Sequence, residues 1–152
     1  MNGEPPADAL VTETDVRASA ARVFEALTDP AQRVIWWGAA GKFQAQEMES
    51  DLRPGGRWMM RGSGPGGRAF AIRGEYRVVD PPRVLEFTWN PDWPEPTTVI
   101  RFDLLERDGV TTVRLTHSGF VDPDVRGRYR GWALVLSMLR TYLSQPNQGT
   151  PS

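Results

Sequence analysis

Ile100-Arg101-Phe102-Asp103-Leu104, then Asp108-Gly109, then Val113-Arg114-Leu115-Thr116-His117 is the stretch that decides the fold. Apolar and polar side chains alternate in each run, which predicts two strands with one buried face apiece. Asp-Gly between them predicts a tight hairpin, because its turn positions favour residues that tolerate positive φ. The same period runs upstream. Leu85, Phe87 and Trp89 oppose Val84, Glu86 and Thr88, while Ile72, Gly74, Tyr76 and Val78 oppose Arg73, Glu75 and Arg77. Asp80-Pro81-Pro82 supplies turn chemistry between these two runs, and Asp51-Leu52-Arg53-Pro54-Gly55-Gly56 reads as another turn. In the less regular stretch 53–67, Trp58 and Met60 face inward. Alternation with a single apolar face predicts an antiparallel sheet covered on one side.

Beyond His117 the period changes. From Asp122 to Leu143, Val125, Tyr129, Trp132, Leu136, Leu139 and Leu143 recur at three- and four-residue steps. Val135, Met138 and Tyr142 widen the stripe, predicting one long amphipathic helix opened by Asp122-Pro123. Gly127 and Gly131 lower helix propensity and suggest a close backbone approach there. At the other end, Leu10 to Val16 is rich in β-branched residues and reads as a first strand. Ser19 is placed to cap a short helix with Val23, Phe24 and Leu27 on its apolar face. Asp29-Pro30 restarts a second helix that reaches Trp36-Trp37 before Gly38. The expected architecture is α+β: a curved antiparallel sheet of roughly seven strands gripping a C-terminal helix. One domain over residues 8–144 is expected, with polar, Pro- and Gly-containing tails at 1–7 and 145–152.

Composition narrows the function. A chain of 152 residues with 39% hydrophobic and 24% charged side chains is large enough to bury a sizeable core. Its net charge of −1 offers no electrostatic footprint for nucleic acid or an anionic membrane surface. There is no cysteine, hence no disulfide, thiolate nucleophile or thiolate metal site. His117 is the only histidine, which excludes sites built on several imidazoles, and no calcium-loop spacing occurs; no metal or cofactor is expected. The N-terminus lacks a basic start and an apolar run, and no segment has the apolar length of a membrane span, so a cytoplasmic protein is expected. Gly62-Ser63-Gly64-Pro65-Gly66-Gly67 matches the spacing of a dinucleotide fingerprint, but Pro65 interrupts it and strand-like residues follow instead of a helix. It reads as a hairpin tip.

Several landmarks together resemble a known family. They are Val34-Ile35-Trp36-Trp37, Asp51-Leu52-Arg53-Pro54-Gly55-Gly56, Gly74 to Pro82, Phe87-Thr88-Trp89, Leu115 to Phe120, and Gly131-Trp132. From about Leu10 to Leu143 the chain resembles the family named after the C-terminal domain of the ATPase activator of the ninety-kilodalton heat-shock chaperone. That family lies in the START, polyketide-cyclase and birch-pollen-allergen (SRPBCC) superfamily. The resemblance implies a helix-grip, START-like fold enclosing a hydrophobic cavity. It implies three functions: a carrier or sensor of a small hydrophobic ligand, a cyclase- or aromatase-like enzyme, and a chaperone ATPase activator-like co-factor. The carrier or sensor is the leading expectation. The eukaryotic activators have an additional N-terminal domain for which this chain has no room, so a chaperone partner is the least expected of the three.

In such a fold the inward aromatics both fill the core and face the hollow. The expected ligand-contacting residues are Trp58, Tyr76, Phe87, Trp89, Phe102, His117, Trp132 and Leu136; Trp93 sits in a Pro-rich loop. Strand parity points His117 inward near the sheet rim, where the leading expectation is a structural hydrogen bond to a backbone carbonyl at the strand end. Because imidazole titrates near neutrality, His117 is also the candidate acid/base if catalysis occurs, with the Tyr76 hydroxyl, two strands away, as a hydrogen-bonding partner for the same guest.

Overall fold

The computed structural model describes residues 9–39, 43–92, 96–120, 123–127 and 131–144. The chain begins with strand β1 (Leu10–Val16) and helices α1 (Ala20–Thr28) and α2 (Pro30–Trp36). Seven strands follow: β2 (Gly38–Ala39), β3 (Phe43–Ser50), β4 (Arg57–Ser63), β5 (Ala69–Asp80), β6 (Val84–Pro91), β7 (Thr98–Arg107) and β8 (Val110–Ser118). Helices α3 (Pro123–Gly127) and α4 (Trp132–Ser144) end it. All strand pairs are antiparallel, in the order β1-β8-β7-β6-β5-β4-β3-β2. From β2 to β8 the sheet is a meander, and β1 returns along the far edge of β8. The curved sheet and its C-terminal helix make a helix-grip fold; two-residue β2 is the only strand beyond the expected seven.

The helices start where side chains can satisfy exposed amides. Ser19 caps α1 by accepting from Arg22 N, and the Glu106 carboxylate at the β7 end accepts from Ala20 N at 2.8 Å. Asp29 joins the first two helices. Its backbone amide donates to Glu25 O at the end of α1, and its carboxylate accepts from Ala31 N at the start of α2. Pro30 fills the first position of α2, where no amide is needed. Trp36 Nε1 donates to Ala26 O at 2.8 Å, which ties α2 to α1. Tyr142 then donates to Gln32 Oε1, which also accepts from Arg22, linking α4 to both earlier helices.

The predicted faces hold with two exceptions. Leu85, Phe87, Trp89, Ile100, Phe102, Leu104, Val113, Leu115 and His117 are all buried. At β5 the register against β6 shifts between Tyr76 and Val78, so Arg77 bulges. Val79, opposite Leu85, therefore packs on the core, where alternation had put Val78. The expected single C-terminal helix is divided into α3 and α4. Among the described residues its glycines serve no close approach, because a Cβ on Gly127 or Gly131 meets nothing there within 4 Å. Gly131 instead begins α4, its carbonyl accepting from Leu134 N and Val135 N. Trp132, Val135, Leu136, Leu139, Tyr142 and Leu143 form the buried stripe; Asp122, Tyr129 and the Val125 side chain lie outside the described set.

The turns behave as read. Asp108 and Gly109 have φ of 53° and 81° between Arg107 and Val110, the paired residues of the β7–β8 hairpin. The glycine-rich stretch 62–67 is the tip of the β4–β5 hairpin, with Ser63 opposite Ala69 and no helix for phosphate after it. Replacing Asp29 with Ala removes the side-chain cap of α2 and keeps the backbone bond to Glu25 O that ends α1. Urea unfolding should register a loss of about 1 kcal/mol, with an unchanged slope against denaturant.

Candidate functional site

The concave face of the sheet is lined by aromatic rings from six elements. Trp37, which ends α2, lies 5.8 Å from Trp132 of α4 and 6.2 Å from Trp89 of β6, measured between ring centroids. Trp89 continues to Trp58 of β4 at 6.0 Å, and Trp58 meets Phe87 edge-on at 5.2 Å. Phe87 in turn contacts Tyr76 and Phe102. The expected ligand-contacting residues, Leu136 and His117 among them, all turn inward and none is more than 5% exposed. The rings lie in mutual contact. Trp93 lies outside the described residues.

His117 sits between β8 and α4 with both ring nitrogens engaged. Trp132 Nε1 donates to Nδ1 at 3.0 Å, and Nε2 lies 2.6 Å from Thr98 Oγ1. An indole N–H can only donate, so Nδ1 carries the lone pair and Nε2 carries the proton, which it donates to Thr98. These partners are side chains on α4 and β7, where a backbone carbonyl was expected. The contact ties the helix to the sheet, and it occupies the atoms that proton exchange with a guest would need. Tyr76 stands on β5, with β6 and β7 between it and β8. The Tyr76 hydroxyl pairs with Ser50 Oγ at 2.6 Å, and its pKa is raised, chiefly by desolvation, against the opposing effects of Ser50 and Arg33.

The group that sequence reasoning missed is Arg33. It lies three residues before Trp36, hence on the same face of α2, and that face packs inward. Arg33 is 2% exposed while its neighbour Ile35 is 62% exposed, the reverse of what hydropathy dictates. Nη1 donates to Leu27 O at 2.9 Å, and the guanidinium carbon lies 4.3 Å from the centroid of Trp37. Nε and Nη2 are buried without an acceptor. Burial lowers the pKa of Arg33 from the usual guanidinium range to about 10, partly countered by Tyr76, so the group is cationic at neutral pH. A depression of that size corresponds to on the order of 3 kcal/mol of stability forgone at neutral pH. The sign follows from the lowered folded-state value: the penalty is fully present below about pH 10 and is relieved as pH rises towards the unfolded value. No carboxylate among the described residues pairs with Arg33. Trp58 Nε1 is likewise buried without an acceptor, and it lies against Gly74, where a Cβ would fall 2.6 Å away.

With this geometry in view, comparison with known proteins assigns the family. Residues 17–144 match the model of the Activator of Hsp90 ATPase homolog 1-like protein family. The chain belongs to that family. The curated proteins contain no match. Among solved structures, protein CV1439 from Chromobacterium violaceum superposes with a TM-score of 0.79 at 21% identity, covering 91% of this chain and 98% of that one. The AHSA1 protein from Silicibacter pomeroyi gives 0.75 at 23% identity, covering 90% and 97%. Protein Ms6760 from Mycobacterium smegmatis gives 0.74 at 24% identity, covering 88% and 86%. At these identities the likeness is one of fold, the helix-grip of the SRPBCC superfamily.

His117→Ala strands the Trp132 indole N–H and the Thr98 hydroxyl inside the core. Thermal or urea unfolding should show a loss of about 1–3 kcal/mol, the usual cost of unsatisfied buried polar groups. Nitrogen NMR of the wild-type ring at neutral pH should report a bare Nδ1 and a protonated Nε2.

Proposed function

We propose that this protein binds a small hydrophobic or aromatic molecule between the concave face of the sheet and helices α2 and α4, acting as a carrier or sensor. The observation that carries the reading is the pair of acceptor-less donors on Arg33, buried among aromatic rings. Native interiors satisfy nearly all their buried polar groups, and those left over call for a partner such as a bound molecule or water. A core selected only for stability has little reason to hold a guanidinium at net cost where an apolar side chain fills the same space. The surrounding indoles offer flat faces and edges to a planar guest, and binding sites commonly combine such apolar walls with a few convergent polar groups. Family membership supports the same class of function. The cyclase-like reading needs a group that exchanges protons with the guest, and the bonds of His117 argue against its serving.

Titration with planar hydrophobic probes should change the intrinsic tryptophan fluorescence saturably, because Trp37, Trp89 and Trp132 are in mutual contact. Trp132→Ala should abolish or strongly weaken the response. Absence of saturable binding by any probe in the folded wild-type protein would refute this function.

A further inference from the structure

The atoms left open on Arg33 have a particular shape. Nε and Nη2 lie on one edge of the guanidinium plane and direct two N–H bonds in parallel, the arrangement that a carboxylate matches with its two oxygens. Nη1, on the opposite side, is committed to Leu27 O. That bond accounts for a structural role, holding the end of α1, and leaves the other edge unexplained. Stacking on Trp37 at 4.3 Å holds the plane in place, so little orientation is lost when an acceptor arrives. Tyr76 lies near enough for its charge state to be coupled to that of Arg33, and with Ser50 it puts a pair of hydroxyls in the same interior. Everything else named around Arg33 is aromatic.

We propose that the Nε–Nη2 edge of Arg33 receives the carboxylate of a small aromatic or hydrophobic acid bound inside the grip. This rests on the ligand-binding function proposed above and names the class of ligand. Three features select that class. A single buried cation balances one negative charge, which suits a carboxylate better than a phosphate dianion. The two open donors are parallel and coplanar, which suits a flat two-oxygen group. The neighbouring indoles favour an apolar remainder, which a free inorganic anion lacks. The acid then supplies the counter-ion that the described residues do not.

Calorimetry on the full chain with 1-naphthoate, 1-naphthamide and inorganic phosphate tests this. Wild-type protein should bind the acid roughly 10- to 100-fold tighter than the isosteric amide, the range for a charge-assisted pair. Arg33→Lys keeps the charge but loses the two-pronged edge. It should remove most of that preference and leave amide affinity within about three-fold, as expected when only the polar anchor is lost. Circular dichroism establishes whether the variant is folded, and the acid-against-amide comparison on wild type stands by itself if it is not. Equal affinity for acid and amide, or a preference that survives in folded Arg33→Lys, overturns the carboxylate assignment while leaving hydrophobic binding intact. Phosphate binding as tightly as naphthoate also overturns it, in favour of a small-anion site. Failure of both naphthyl compounds to bind overturns the ligand-binding function and this inference with it.

Discussion

A guanidinium held in the interior with no counter-ion among the described residues constrains the rest of this molecule. Arg33 is kept there by its stack on Trp37, one turn along α2, and by one bond to Leu27 O, which depends on how α2 sits against α1. That seating is set by Asp29 capping both helices and by the bond from Trp36 to Ala26 O. Local capping chemistry at one residue therefore decides whether a charge faces the sheet or the solvent. The folded state carries the cost because the sheet's burial of Phe87, Phe102, Leu115 and their neighbours supplies far more than one desolvated cation removes.

Two polar contacts inside the grip divide the work differently. The Trp132–His117–Thr98 chain is satisfied at every described atom of its path and joins α4 to β8 and β7. Such a satisfied chain rigidifies a core. The Arg33 edge is unsatisfied among the described residues and is carried by α2. The aromatic rings between them pass continuously from Trp37 through Trp89 to Trp58 and Phe87, so a guest in contact with Arg33 meets indoles throughout.

Much of the fold was legible because period two is a strong signal when one face is buried, as in Ile100 to Leu104 and Leu85 to Trp89. Caps at Ser19 and Asp29 were legible for the same reason: their chemistry is local. The bulge at Arg77 was not, since Val78 and Val79 are both apolar and either can face inward until the pairing with Glu86 and Leu85 is known. The division of the C-terminal helix was also missed, because glycine inside a helical stripe signals weakened propensity and not its consequence. Inward-facing aromatics were identified by parity. Arg33 escaped because hydropathy places Ile35 inside and an arginine outside, and only the phase of α2 relative to Trp36 reverses them. That spacing was the available signal, an arginine one turn ahead of a buried tryptophan.

The most direct measurement is the Nε–H resonance of Arg33 in a two-dimensional proton–nitrogen spectrum, assigned by its disappearance in Arg33→Lys and followed during titration with an aromatic carboxylate. A donor that gains a charged acceptor should move downfield and exchange more slowly with water, in step with the perturbed indole resonances of Trp37 and Trp89. If the indole signals shift while the Arg33 Nε–H stays in place, the ligand binds without meeting the guanidinium, and the account of that buried charge is wrong.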